Sequence, residues 1–254
     1  MGKANQWNRD QLLMALRLYM RLPFGRLHSR NPEIISLAER IGRTPGALAM
    51  KAVNFANLDP ALQARGVRGL RNVSTMDRQI WQEFSDNSEA LAAEAEEAAE
   101  RLANASSETI SDGLQAPDGA TEVVRSIRTR RVQSFFRAAV ATSYGGRCAI
   151  SGICDPNLLI ASHIIPWAAP VERRADPRNG ILLNALFDRA FDRGLFTLDD
   201  DLRVVVSPKL GPATAGAELA CGLDQLAGRA IMVPERFPPD EEALRYHRNN
   251  VLVR

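Results

Sequence analysis

Asp188 and Asp192 stand four residues apart in the run Ala185-Leu186-Phe187-Asp188-Arg189-Ala190-Phe191-Asp192. If that run is helical, the two carboxylates project from one face, one turn apart. Two carboxylates so placed can hold one hard divalent cation such as Mg²⁺, which keeps several waters for substrate oxygens. Upstream, His163 sits in Ala161-Ser162-His163-Ile164-Ile165-Pro166-Trp167, and Asn179 opens Asn179-Gly180-Ile181-Leu182-Leu183-Asn184. Taken singly, each residue has an ordinary reading. A buried histidine is usually a hydrogen-bonded strand residue, and helical aspartates are usually solvated. The informative feature is the set: a histidine on one strand, an asparagine opening the next, and two acids on the helix that follows.

The elements that must position this set are legible in the patterning. Leu158 to Ile165 is apolar and β-branched and reads as a strand or strand pair. Residues 167–178, rich in Pro, Ala and charge, read as a loop, and Gly180 to Leu183 as a short strand. Residues 185–193 read as a helix stopped by Gly194, followed by a hairpin from Leu195 to Val206 around Asp199-Asp200-Asp201. A helix over about 239–251 is expected to pack as a cover. His247 within it reads as structural, and Trp167 either packs on the core or stacks on a base, with packing favoured.

With these motifs in hand, the chain resembles the HNH, or ββα-metal, nucleases. It is most similar to the branch in which a basic helix precedes the module: Arg130, Gln133, Phe136-Arg137, Tyr144 and Arg147-Cys148-Ala149-Ile150-Ser151-Gly152. The family's H-I-x-P, N-G-x-x-L and F-D-x-G-L follow in order, as His163-Ile164-Ile165-Pro166, Asn179-Gly180-Ile181-Leu182-Leu183 and Phe191-Asp192-Arg193-Gly194-Leu195. The resemblance spans about residues 128–210. It implies His163 as general base, Asn179 as the residue that steadies the loop holding the histidine strand, and Asp188 and Asp192 as metal ligands. It also implies products with 5′-phosphate and 3′-hydroxyl ends. Two departures stand out. The position before the base is often a metal-binding Asp or His and here is Ser162, a weak ligand, and the final His of the family name is replaced by Asp188. All-oxygen ligands favour Mg²⁺ or Mn²⁺ over Zn²⁺. Cys148 and Cys154 alone cannot complete a four-ligand zinc site, so no structural zinc is expected.

The rest of the 254-residue chain is read as follows. Residues 1–86 form a mainly helical domain, 87–120 an Ala/Glu-rich helix and linker, and 121–254 the nuclease domain with a core at about 147–206, giving an α+β protein overall. Helices are expected over about 10–19, 33–41, 45–55 and 76–84, with Gly66 to Val73 a basic loop. The second and third of these, joined by Gly42-Arg43-Thr44, have helix-turn-helix spacing, which places Arg43, Thr44, Gly46 and Lys51 toward the major groove; an ordinary helical hairpin carries the same caps. Residues 87–104 are either a connecting or a dimer-forming helix. Arg130, Arg137, Arg189 and Arg193 either bind phosphate or pair with neighbouring acids.

Net charge is only +2, but it is segregated: a basic stretch runs from Arg125 to Arg147, and Glu89 to Glu100 is acidic. The three cysteines, Cys148, Cys154 and Cys221, are irregularly spaced and fit a reducing cytoplasm, and neither a secretory signal nor a membrane span is apparent. Duplex DNA is therefore the expected partner, with a homodimer if both strands are cut, and no small-molecule cofactor or membrane is expected. By resemblance, an HNH module joined to a DNA-binding domain implies a role in restriction or phage defence, with sensing of modified bases as one form of it. The rivals are a homing or repair nicking enzyme, a non-catalytic DNA-binding regulator with a decayed module, and an RNA nuclease.

Overall fold

The computed structural model describes residues 6–66, 73–105, 120–169, 173–210 and 225–254. Cys221, most of the expected 105–120 linker and most of the 66–73 loop lie outside the described residues. By its internal contacts the chain divides into Met1–Ala139 and Val140–Arg254.

The first unit is helical. Helix α1, Arg9–Arg21, is held at its start by a reciprocal capping box between Asn8 and Gln11 and buries Leu12, Leu13, Leu16 and Tyr19. Helix α2, Pro32–Arg40, starts on an Asn31 cap with proline in its first turn. It ends at Gly42, whose φ of +66° suits glycine, and the Arg43 amide donates back to the Ala38 carbonyl at 2.8 Å. Thr44 then caps α3, Pro45–Ala56. A short helix α4, Pro60–Ala64, which the sequence pattern did not reveal, is followed by α5, Thr75–Asp86, and α6, Ser88–Ala105.

Helix α6 packs on α1 and α5, burying Leu91, Ala92, Ala95 and Ala98. Its acids face arginines. Arg9 bridges Glu83 and Glu94 at 2.6 Å each, the buried Glu96 takes Arg17 at 3.0 Å and Arg21 at 3.3 Å, and Glu97 and Glu100 hold Arg131 at 3.1 and 2.7 Å. Small alanines let α6 approach α1 closely, and the charges at its margins are matched by arginines far away in the chain. Helix α7, Ala120–Ser143, crosses the division between the units.

The second unit is built on two small antiparallel sheets. Strands β1, Leu159–His163, and β2, Gly180–Asn184, pair so that Leu159 faces Asn184, Ser162 faces Ile181 and His163 faces Gly180. Helix α8, Ala185–Asp192, starts directly from β2: Asn184 is both the last strand residue and the helix cap, its side chain accepting from the amides of Leu186 and Phe187. With no linker between strand and helix, α8 folds back on β1 and β2. Strands β3, Phe196–Leu198, and β4, Val204–Val206, form the expected hairpin. Helix α9, Glu241–Asn250, packs on β3 and covers the end of α8.

His247 makes that cover specific. It is 1 % exposed and stacks on Phe191 with ring centroids 3.8 Å apart and planes within 9°. One ring nitrogen, Nε2, lies 3.3 Å from the Phe191 carbonyl and the other, Nδ1, 2.9 Å from the Thr197 hydroxyl. The carbonyl can only accept, so Nε2 carries the hydrogen. Burial pushes His247 down to about 4, against a weaker opposing pull from the Phe191 carbonyl. The unfolded chain thus takes up this proton from about pH 6.5 downward while the folded one resists until about pH 4. Stability is therefore full above about pH 6.5 and is lost as pH falls, by about 3 kcal/mol in all from this residue. Urea unfolding should show the advantage of wild type over His247→Gln shrinking between pH 7 and pH 4.5; a pH-independent difference would contradict the assignment.

Candidate active site

His163 ends β1, and the chain leaves it into a loop that returns at Asn179. Four hydrogen bonds draw that loop together. The Ile164 amide donates to the Asn179 carbonyl at 2.9 Å, the Ile165 amide donates to Asn179 Oδ1 at 2.8 Å, and Asn179 Nδ2 donates to the Arg173 carbonyl at 3.3 Å, with the Ile165 carbonyl at 3.4 Å. Asn179 is 2 % exposed, so these contacts stand in for water. It lies in the 3-10 turn Pro177–Asn179, capped by Asp176, which fixes its side chain toward the loop.

The same loop orients the histidine. His163 Nε2 is 2.9 Å from the Arg174 carbonyl, the residue after the one whose carbonyl Asn179 holds. A carbonyl offers no hydrogen, so Nε2 donates and Nδ1 keeps its lone pair. The Trp167 ring meets the imidazole edge-on at 5.5 Å, and Arg174 lies over the Trp167 ring at 5.2 Å while its Nε donates to the Trp167 carbonyl at 2.9 Å. Trp167 is therefore a packing wall for the imidazole. Burial lowers the His163 pKa, the Arg174 carbonyl raises it less, and the Arg174 charge adds to the lowering. At neutral pH the ring is unprotonated at Nδ1, the form a base requires.

The carboxylates lie beside the residue preceding His163. Burial raises the Asp188 pKa, which the Ser162 hydroxyl and Arg189 partly offset. Burial also raises Asp192, and the charge of Asp188 raises it further, against Arg189 and Arg193. The Ser162 hydroxyl is buried and makes no hydrogen bond of normal geometry. Burial raises both carboxylates and the charge of Asp188 raises Asp192 further, beside a buried hydroxyl; oxygen donors of this kind would suit a hard divalent cation, which would reverse both shifts. Among the described residues, no three His, Cys, Asp or Glu side chains cluster as a metal group, so the hydroxyl and water must complete any coordination. Ser162 and His163 are adjacent at the end of β1, so the residue beside the carboxylates and the imidazole are neighbours in the chain.

Residues 148–199 match the family model described as HNH endonuclease. This segment is similar to the HNH endonucleases. No curated protein matches the chain. The HNH segment begins at Cys148 and contains β1, β2, α8 and β3, so it encloses His163, Asn179, Asp188 and Asp192.

The other candidate residues are distributed differently. Arg189 and Arg193 are exposed on or just after α8, beside the carboxylates. Arg130 and Arg137 are exposed on α7 within the first unit. Arg43 is committed within that unit: it donates to Gln11 Oε1 at 2.9 Å and the Gln6 carbonyl at 2.6 Å, and lies over the Trp7 ring. Lys51 is bonded to the buried Asp77 at 3.0 Å, and the Thr44 hydroxyl accepts from the Ala47 amide. The exposed positions of α3 are instead Gly46 and Met50. Of the two cysteines described, Cys148 is buried and Cys154 exposed, and neither is in a disulfide. Sequence reasoning missed the Arg174 carbonyl, because any residue supplies a backbone oxygen.

Replacing Asn179 by Ala should destabilise the protein by about 2–4 kcal/mol, since it leaves the buried Ile165 amide without its acceptor. Urea unfolding checks this, and a change within error of zero would show that the loop ends hold together without the amide.

Proposed function

We propose that the chain is a divalent-metal-dependent endonuclease that hydrolyses phosphodiester bonds in duplex DNA. His163 is the general base: its Nδ1 takes a proton from the attacking water while Nε2 donates to the Arg174 carbonyl. Asn179 holds the loop that supplies that carbonyl. Asp188 and Asp192, with the Ser162 hydroxyl, hold Mg²⁺ or Mn²⁺, and the bound cation supplies charge stabilisation at the scissile phosphate and the leaving 3′ oxygen. The observation that carries this reading is the 2.9 Å contact that fixes the tautomer of His163 and leaves Nδ1 unprotonated within an HNH segment.

Arg189 and Arg193, exposed beside the carboxylates, would meet phosphate at the cut site, and Arg130 and Arg137 would bind phosphate as well. In the first unit the α2–turn–α3 pair is the DNA-reading element, with Arg43, Thr44 and Lys51 shaping it more than touching bases. One HNH site cuts one strand, so double-strand cleavage requires a homodimer or two encounters. The combination of a helical reading unit and an HNH unit suits restriction or phage defence, including dependence on modified bases. A second reading, a DNA-binding regulator without activity, is favoured by one observation alone: Ser162 stands where an acidic ligand would strengthen metal binding.

His163→Ala should lower cleavage of a duplex about 10²-fold or more while leaving duplex affinity nearly unchanged. Asp188→Asn combined with Asp192→Asn should remove activity and its metal dependence together. Cleavage by His163→Ala at the wild-type rate would refute the base assignment. Tight duplex binding, with no cleavage by wild type in any divalent metal, would favour the regulator.

A further inference from the structure

The loop that orients His163 is itself tied from outside by the C-terminal helix. Asp240 caps α9, its Oδ1 accepting from the amides of Glu242 and Ala243 at 3.0 and 3.1 Å. The same oxygen accepts from Arg173 Nη1 at 3.0 Å. The Asp240 backbone amide donates to the Arg178 carbonyl at 2.9 Å. One residue thus grips both ends of the segment 173–178. Arg173 is also 3.5 Å from the buried Asp176, which in turn holds Arg178 at 2.8 Å.

The inside of this segment carries the two carbonyls that matter to the site. The Arg173 carbonyl accepts from Asn179, and the Arg174 carbonyl accepts from His163. A serine or asparagine caps a helix about as well as aspartate does, so capping alone does not call for a carboxylate here. A carboxylate that also binds a planar guanidinium directionally does.

We propose that Arg173 and Asp240 are positioning residues for the base, holding the 173–174 backbone so that the Arg174 carbonyl fixes the orientation and tautomer of His163. This rests on the reading of His163 as the base for its functional meaning, though not for its structural content. Burial pushes the Asp240 carboxyl up, and its bonds from Arg173 and the Ala243 amide bring it below its ordinary value, so it is charged whenever the protein is at work. The pair is three-quarters buried, and its consequence is the aim of one peptide group.

The test uses the full chain with ¹⁵N-labelled histidine. The protein has three histidines, so the ring signals can be assigned by substituting His28 and His163 in turn. His247, also buried and also donating from Nε2, is an internal monitor of folding. At pH 8 wild-type His163 should show Nε2 protonated and Nδ1 bare. Asp240→Ser, which keeps a helix cap, and Arg173→Met should each move the His163 ring signals toward a mixture of tautomers while leaving those of His247 in place. In cleavage assays both should lower kcat roughly 10-fold with KM little changed, and Arg173→Lys should recover part of the loss. Unchanged His163 signals in Asp240→Ser and Arg173→Met, with His247 intact, would overturn the proposal. If Arg173→Met disturbs His247, the decision falls to Asp240→Ser. Altered His163 signals in a protein that never cleaves DNA would uphold the positioning and refute the nuclease reading alone.

Discussion

The Asn179 side chain is nearly closed off from water, and its amide spans a loop of some fifteen residues. It accepts from one strand end and donates to the far side of the loop. An amide is the only neutral side chain that offers both an acceptor and two donors in one rigid plane. A carboxylate would lack the donors, and an aliphatic residue would leave a buried amide hydrogen without a partner. The histidine half of the site follows from this clamp. It sets where the Arg173–Arg174 backbone passes, that backbone sets which nitrogen of His163 bears hydrogen, and the remaining nitrogen is the one the proposed base would use.

The two halves of the site reach their positions by different means. His163 is placed by a loop, which needs ties: Asn179 from within, Arg173 and Asp240 from without. The carboxylates are placed by a helix that leaves β2 without a linker, so the register of β2 against β1 fixes α8 relative to Ser162. The far end of α8 is then held by the stack of Phe191 on His247. Loop and helix meet at the adjacent residues Ser162 and His163. The HNH family match covers this meeting point, whereas α9, which steadies both halves, lies beyond it.

Much of this was legible in the sequence because it is local. Asn31-Pro32, Gly42 and Thr44-Pro45 state helix starts and stops in residue types alone, and the observed bounds of α2 and α3 fall within a residue or so of those expected. The spacing of Asp188 and Asp192 encodes a shared helix face. The strand containing His163 came out slightly shorter than expected, because Ile164 and Ile165 turn to bond Asn179 instead of extending the ladder. What was not legible depends on residues distant in the chain. Arg43 reads as a base-contacting arginine until Gln11 and Trp7 are seen to hold it, and Lys51 likewise until Asp77 is seen beside it. The acidic run of α6 reads as a connecting or dimer-forming helix, and the arginines that pair with Glu94, Glu96 and Glu100, namely Arg9, Arg17, Arg21 and Arg131, are not visible in its local pattern. The tie from Asp240 to Arg173 spans 67 residues and leaves no local pattern.

We propose that oxygen ligands for a metal ion and an oriented imidazole make this chain a DNA-cutting enzyme. The most direct test is incubation of the purified chain with supercoiled plasmid, unmodified or carrying modified cytosine, in Mg²⁺, in Mn²⁺ and in EDTA. Conversion to open-circular or linear DNA is expected with at least one metal and none in EDTA. Plasmid left supercoiled in both metals on both DNAs, or cleavage that persists in EDTA, would contradict it.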